Sequence, residues 1–384
     1  MRIGVRVRVG AGLRGGAGVK VAHLDTGRDW RGGQAQALIL MRGLSKLGHE
    51  SLLLAPLGPL LERARAQGIA CEPWRARGDW DLGAVLAASR ALARIAPEVA
   101  HCHSARAHAL GVPAARLARV PAVVVSRRVD FPVARHPASR LKYALPVDRY
   151  LCISRGVRDA LRAAGLPERR LVLVPSGIEL PDHRVQGGPA DLRAAMGVAA
   201  DAPVVGTVAA LAPHKNHGDL LRAARRVVDR DASVHFAWIG EGGCRPALER
   251  LRDELELEAH VHLLGFREDA RALIPQFTVF ALSSYLEGLC TSLLDAQSLG
   301  VPVVATAVGG VPDIVLDRVN GRLVPARDPD ALAAALLEAL GDEVARRAWA
   351  ARGRETVRAF AAEHMVEGTL AAYQAALADG RAAR

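Results

Sequence analysis

The chain has 384 residues, half of them hydrophobic and about a quarter charged, a length and composition that point to two globular domains. No apolar run approaches the roughly 20 residues needed to span a bilayer, and the five cysteines are scattered, so membrane-spanning and disulfide-stapled folds are excluded in favour of reduced, mostly buried thiols. The net charge of +11 is unevenly placed: residues 1–190 carry 30 basic and 14 acidic residues, the remainder 21 and 26. The first half therefore presents a field suited to an anionic surface or substrate. No aromatic-studded basic stretch, zinc spacing or helix-turn-helix pattern accompanies it, and nucleic acid is not an expected partner. With no continuous apolar core near its start, the chain is expected in the cytoplasm.

In chain order, residues 1–18 read as a flexible basic leader. Within them "GAGLRG" (Gly10–Gly15) fits a dinucleotide-loop pattern, but the following "GAGVKVAHLD" leads into a strand and not a helix, so no cofactor loop is assigned. From there strands and helices alternate. "VKVAHLD" reads as a strand, "QAQALILMRGLSKLGHE" as a helix, "ESLLLAP" as a strand, "DLGAVLAASRALARIAP" as a helix and "EVAHCHS" as a strand. "PAVVVSRR", "RYLCIS" and "RLVLVPSGI" read as three further strands. "PDHRVQGGPADLR" breaks the rhythm and marks the domain junction. A second alternation follows, through "APVVGTVAAL", "VHFAWIG", "VHLLG", "FTVFALSS" and "VPVVAT" as strands with amphipathic helices between them. The last forty or so residues read as helical. This predicts an α/β fold of two parallel-sheet, Rossmann-like domains facing a central cleft, at residues 19–184 and 185–360, with residues 361–384 packing back on the first domain.

Three loops carry functional weight. In "DTGRDWRGGQAQ", Gly32 and Gly33 lie between a strand and a helix, where bare backbone N–H groups can approach an anion. In "VAALAPHKNHG", Lys215 is one of only four lysines in the chain and stands in a strand-to-helix loop, placed to neutralise a leaving phosphate; a solvated loop charge is the competing reading. His214 and His217 flank it without an acid or cysteine cluster, so no metal site is assigned. In "EGLCTSLLD", Glu287 and Gly288 precede a helix whose free N–H groups fall near Leu289, Cys290 and Thr291, a seat for a diphosphate with room made by the missing side chain at Gly288. Asp295 stands roughly 12 Å further along that helix. Capping for Glu287 and a solvated face for Asp295 are the alternatives.

At these residues the chain resembles the retaining, nucleotide-sugar-dependent glycosyltransferases of GT-B fold, family 4 (glycosyl transferases group 1). "EGLCTSLLDAQSLGVPVVATAVGGVPDIV", "NGRLVPARDPDAL", "VGTVAALAPHKNHGDLL", "IGEGGCRPALERL", "LLGFRED", "VPSGI" and "GGQAQALILMRGLSKLGHE" carry the resemblance over about residues 19–375. It implies that Lys215 contacts the donor diphosphate, that Glu287 holds donor-sugar hydroxyls, and that Gly288 with the backbone of Leu289, Cys290 and Thr291 forms the phosphate turn. It also implies that Gly32 and Gly33 close on the diphosphate, that Phe266 flanks the base and that Asp295 grips the ribose. Three positions depart from the pattern: Asp295 replaces a glutamate, Ala210 stands where many members have an arginine, and Arg127 and Arg128 stand where many have a histidine. One of these two arginines is expected to supply anion stabilisation from the first domain, Arg128 being the catalytic candidate and Arg127 the acceptor-side one. His101 and His103, ending the "EVAHCHS" strand, are placed on the acceptor side, with core or capping roles as the alternative. The implied co-substrate is a nucleotide-diphosphate sugar, with no cofactor and no metal; the implied acceptor is a cell-envelope glycan or glycolipid at the inner face of the plasma membrane. The alternatives on the same architecture are a nucleotide-sugar epimerase, a phosphorylase, or a catalytically silent nucleotide-sugar-binding relative.

Overall fold

A computed structural model describes residues 18–131, 133, 137–181 and 191–382. The expected leader, apart from Gly18, and most of the expected junction stretch lie outside the described residues. The first domain is built on a seven-stranded sheet of order β3-β2-β1-β4-β5-β6-β7. Its strands are β1 (Lys20–Leu24), β2 (Glu50–Ala55), β3 (Ala70–Pro73), β4 (Val99–Cys102), β5 (Ala122–Arg127), β6 (Arg149–Cys152) and β7 (Leu171–Leu173). The second sheet has six strands in the order β10-β9-β8-β11-β12-β13. They are β8 (Val204–Val208), β9 (His235–Ile239), β10 (Val261–Leu263), β11 (Val279–Leu282), β12 (Val303–Thr306) and β13 (Arg322–Val324). Every pairing is parallel, and helices cover both faces, which is why central strands such as β4 and β12 are buried at every residue and read as unbroken apolar runs.

Two strands and one helix lack a clear sequence signal. β3 is an edge strand whose four residues are exposed or half-buried and which ends on Glu72 and Pro73, and β13 is a three-residue edge strand that opens on Arg322, so neither shows an apolar run. The helix Pro59–Ala66, between β2 and β3, is also short and begins on a proline after Gly58.

Parallel strands bring their carboxyl ends to one edge of each sheet, and the two edges face each other. The chain crosses between the domains twice, side by side: Ile178 N–H donates to the Phe360 carbonyl at 2.9 Å and Ala362 N–H to the Ile178 carbonyl at 2.8 Å. After the second crossing, helix Ala362–Ala382 packs on helix Gly32–Lys46 and against β5 and β6. Met365, Val366, Leu370 and Tyr373 enter a core shared with β1, β4 and β5. The largest apolar cluster runs without a break from Val123 and Tyr150 in the first sheet to Phe280 and Val303 in the second. Among the described residues no helix is long and apolar enough to cross a membrane. Cys102, Cys152 and Cys290 are buried and Cys71 and Cys244 half-buried, all as free thiols.

Candidate active site

On the second-domain side of the cleft, two loops lock together. Ser283 Oγ donates to the Lys215 carbonyl at 2.9 Å, and Tyr285 N–H to the His214 carbonyl at 3.0 Å. This fixes the short 3-10 turn Pro213–Lys215 against the end of β11. Lys215 Nζ then lies 2.5 Å from Glu287 Oε1, which also accepts from Ser284 Oγ at 2.7 Å. Both side chains of the ion pair are largely buried, while among the described residues Glu287 Oε2 takes no bond. Burial opposes the lysine's charge, yet its affinity for the proton is net raised, with the Glu287 charge and hydrogen bond favouring the ammonium. Because burial holds the Cys290 thiol protonated, Glu287 is the working counter-charge.

Beside this pair, helix Thr291–Ser298 starts from Cys290 with no side-chain cap, so its first N–H groups remain available to an anion. Gly288 has a different role from the expected one. A Cβ there would overlap the Arg128 carbonyl and approach Ile153, so the absence of a side chain admits the backbone of the first domain, not a ligand. Gly309, at φ +50°, fits in the same way against the Glu287 carbonyl and Asp130. Asp130 accepts from the Glu287 N–H, joining the two domains at the cleft; burial raises its pKa, and its Oδ1 is buried without a partner.

The first domain supplies the opposing wall. Gly32 and Gly33 open helix Gly32–Lys46; a Cβ on Gly32 would sit 3.8 Å from Thr291 Oγ1, and one on Gly33 would sit 3.6 Å from Arg128 Cδ. The glycine loop thus lies between the helix N-terminus of the second domain and Arg128 of the first. The structure separates the two arginines. Arg127 donates to the carbonyls of Val129 at 2.9 Å and Phe131 at 2.5 Å and lies over the Tyr143 ring, so it holds its own loop and is not turned to an acceptor. Arg128 forms no ion pair among the described residues, and its Nε is buried without a partner. Burial pulls its pKa down to about 10, with the Asp25 charge the main opposing influence. Asp25, at the end of β1, accepts from Gly27 N–H at 2.6 Å and from Gln34 Nε2 at 3.2 Å, and burial raises its pKa.

Beneath Arg128 lies a cluster of imidazoles that the sequence reading saw only in part. His23 and His101 are register partners on β1 and β4, and His103 follows β4. His23 Nδ1 is 2.9 Å from His103 Nε2; His101 is held by the Tyr373 hydroxyl at 2.6 Å and by Ser126 Oγ at 2.8 Å. Ligand atoms of the three rings lie within 4.8 Å of one another, close enough to share a metal ion. Two facts weigh against one: His101 has both nitrogens committed, and the Arg128 charge acts on His101 and His103. Burial lowers the pKa of His23 to about 3 and those of His101 and His103 well below the usual value, so the cluster is a neutral hydrogen-bonded floor under Arg128. His101, expected on the acceptor side, is fully buried and takes the core role; His103 keeps one unpartnered nitrogen, Nδ1. His217 is also buried, its ring 5.1 Å from Trp238.

Asp295 lies apart from the Lys215–Glu287 pair. Its Oδ1 is 3.0 Å from Arg271 Nε, and Arg271 also donates to the Glu179 carbonyl at the domain crossing. Phe266 is exposed on the loop after β10, free to stack on a base, and Ala210 is exposed. Burial raises the Asp295 pKa to about 6 against the influence of Arg271. An acid with a raised folded-state pKa favours folding below its unfolded value of roughly 4. That contribution is lost as the pH rises through about 6. Asp295→Asn is therefore expected to melt at a higher temperature than the parent at pH 7.5, with the gap narrowing as the pH falls from 6 to 4. Thermal melts across that range test it; a parent that melts higher at pH 7.5 rules out the burial cost.

Two facing parallel α/β domains, with an uncapped helix and a largely buried lysine–glutamate pair on one wall and a glycine loop with a half-buried arginine on the other, define the GT-B class of glycosyltransferase. Residues 30–181 match the model of Glycosyltransferase Family 4, and residues 190–356 that of the Glycosyl transferases group 1. The two models take in most of the chain between them, and the chain belongs to this glycosyltransferase family. It is 25% identical over 278 residues to UDP-Gal:alpha-D-GlcNAc-diphosphoundecaprenol alpha-1,3-galactosyltransferase of Escherichia coli, covering 69% of this chain and 72% of that relative. It is 29% identical over 233 residues to the lipopolysaccharide core biosynthesis glycosyltransferase LpsE of Rhizobium meliloti, covering 61% of this chain and 64% of that relative. Its fold is similar to that of HepE of Anabaena in complex with UDP and glucose, with a TM-score of 0.82 at 19% identity over 93% of this chain and 100% of that one.

Proposed function

We propose that the chain transfers a sugar, with retention of anomeric configuration, from a nucleoside-diphosphate donor to a glycan or lipid-linked acceptor of the cell envelope. The observation that carries this reading is the buried Lys215–Glu287 pair beside an uncapped helix N-terminus, faced by Arg128 and the glycine loop. Breaking the anomeric bond places negative charge on the leaving diphosphate oxygen, and Lys215, the N–H groups of Leu289 to Thr291 and Arg128 meet that charge where it develops. Glu287, oriented through Oε1 by Lys215 and Ser284, keeps Oε2 for the donor-sugar hydroxyls. Asp295 takes the ribose and Phe266 the base. No side chain is required as a nucleophile: the acceptor hydroxyl attacks on the face the diphosphate leaves, and the departing phosphate takes its proton. These charges assign no step to a metal. The similarity to enzymes named for an undecaprenol-linked acceptor and for lipopolysaccharide core supports an envelope acceptor, and the basic first half supports a place at the anionic inner face of the plasma membrane.

Incubation with a panel of nucleotide sugars in the presence of EDTA, following release of nucleoside diphosphate, tests the reading. Transfer or slow hydrolysis is expected; an epimerised donor, or binding without turnover, rejects it. The division of labour has its own test. Glu287→Gln is expected to lower kcat by about tenfold with a smaller change in nucleotide affinity, because the interaction it loses is with the reacting sugar. Asp295→Asn is expected to weaken nucleotide affinity by about tenfold with a smaller change in kcat. Indistinguishable behaviour of the two variants in titration and turnover sinks that division.

A further inference from the structure

We propose that His235, His260 and His262, at the end of the second sheet away from the cleft, form a binding site for a divalent transition-metal ion of the zinc class, which clips edge strand β10 to β9. The site does not rest on the transferase reading. His260 and His262 are two residues apart, and the strand period of two sends both to one face. β10 pairs with β9 so that Val261 stands opposite Phe236 and His262 opposite Ala237, and Phe236 N–H donates to the His260 carbonyl at 2.7 Å. That register sets His260 beside His235, the first residue of β9, with His262 one step further along the same face. The rings follow the backbone. The centre of the His235 ring is 5.4 Å from that of His260 and 5.5 Å from that of His262. Two imidazoles from one strand and a third from its neighbour thus offer three nitrogen donors on one rigid surface.

The separation of two of these nitrogens distinguishes a chelate from an ordinary contact. His262 Nε2 and His235 Nδ1 are 3.4 Å apart. A hydrogen bond between the rings would draw them to about 2.9–3.0 Å. Nitrogens bound at roughly 2.0–2.1 Å to one tetrahedral zinc stand about 3.3–3.4 Å apart, which is the spacing found. His260 Nδ1 donates to the Val234 carbonyl at 3.2 Å, an outer bond that fixes the tautomer and leaves the Nε2 lone pair for an ion. Burial, and after it the charges of neighbouring histidines, lower the pKa of His235 and of His262, so both rings are neutral and able to ligate at neutral pH. All three side chains are half-buried, which lets an ion and its water enter, whereas the cluster beneath Arg128 is sealed. Arg252, whose charge also acts on His262, is held on Asp253 Oδ1 at 2.8 and 3.0 Å and is compensated as Arg128 is not. Imidazole donors suit zinc, cobalt or nickel and not magnesium or calcium. Because His235 opens β9 while the donor loops follow the carboxyl ends of the strands, the ion lies at the opposite edge from Lys215 and Glu287.

Calorimetric titration of the full chain, stripped with EDTA and free of any added histidine tag, with zinc alone tests this. A single saturable site is expected, and saturating zinc is expected to raise the melting temperature by at least about 3 °C over the stripped protein. Cobalt is expected to bind with visible ligand-field absorption, and magnesium neither to bind nor to stabilise. His235→Ala/His262→Ala is expected to weaken zinc binding by at least about 100-fold and His260→Ala by about tenfold, while His364→Ala, at an exposed position of the last helix, leaves it unchanged. Melts in EDTA establish that each variant is folded, and His262→Gln, which keeps a polar side chain without the imidazole, is expected to lose zinc affinity while melting in EDTA as the parent does. Donor turnover is expected to be equal in zinc and in EDTA. A parent that binds no zinc, a double variant that binds it undiminished, or a His260→Ala variant indistinguishable from the parent overturns the site. Turnover that falls on stripping overturns it too, since the ion would then serve the cleft.

Discussion

Lys215→Ala is expected to lower kcat/KM for donor turnover by about two to three orders of magnitude, the range for losing one preorganised charge at a developing oxyanion. The lysine is held for this task before any donor arrives: its loop is tied to β11 through Ser283 and Tyr285, and its ammonium is fixed on Glu287 in a largely buried pair. A cation placed so needs no reorganisation when the anomeric bond breaks. The same burial gives the variant a structural cost, because Glu287 keeps its charge with Ser284 as its remaining partner. A double variant separates the two effects. Lys215→Ala/Glu287→Gln removes the stranded charge, so its melting temperature is expected to recover toward that of the parent while its turnover stays at or below that of Lys215→Ala. Turnover of Lys215→Ala within about threefold of the parent would place the lysine outside the transition state.

How much of this was legible in the sequence follows from how local each piece is. Lys215, Glu287 and the helix after Cys290 lie in contiguous strand–loop–helix stretches, where a rare lysine and an acid before a helix mark the chemistry without any knowledge of packing. Their mutual contact was inferable because both loops end neighbouring strands of one sheet. The floor of the site was not. His101 meets Tyr373 across 272 residues, and no periodicity in "EVAHCHS" announces that a helix from the end of the chain will cap it. Asp25, Asp130 and Arg271 were missed for the same reason: each looks like an ordinary charged residue until the fold brings it under Arg128, against the Glu287 N–H or onto Asp295. Gly288 was read for the right freedom and the wrong neighbour, since a missing side chain shows that something approaches but not what. β3 and β13 escaped because polar residues interrupt them: β3 reads Ala-Cys-Glu-Pro and β13 opens on Arg322, whereas the equally short edge strands β7 and β10 sit in apolar runs.

Arg128→Ala is expected to lower turnover by about 10- to 100-fold, against no more than about twofold for Arg250→Ala at an exposed helix position. The expectation comes from an electrostatic imbalance. Arg127 satisfies its guanidinium on two carbonyls, but Arg128 is left with a buried, unpartnered Nε and no ion pair among the described residues. The nearby Asp25 is already held by Gly27 and Gln34, and the three histidines below are neutral and offer no counter-charge. A half-buried cation so weakly compensated would be stabilised by an arriving anion such as the diphosphate. The side chain runs beside Gly33 while its own carbonyl packs on Gly288, so the residue touches both walls between which the diphosphate would lie. Arg128→Lys keeps the charge without the planar fork and is expected to restore part of the activity, whereas Arg128→Met keeps much of the bulk without the charge and is expected to behave like the alanine variant. If methionine restores turnover as well as lysine does, Arg128 acts by packing, and the anion must be stabilised by the second domain alone.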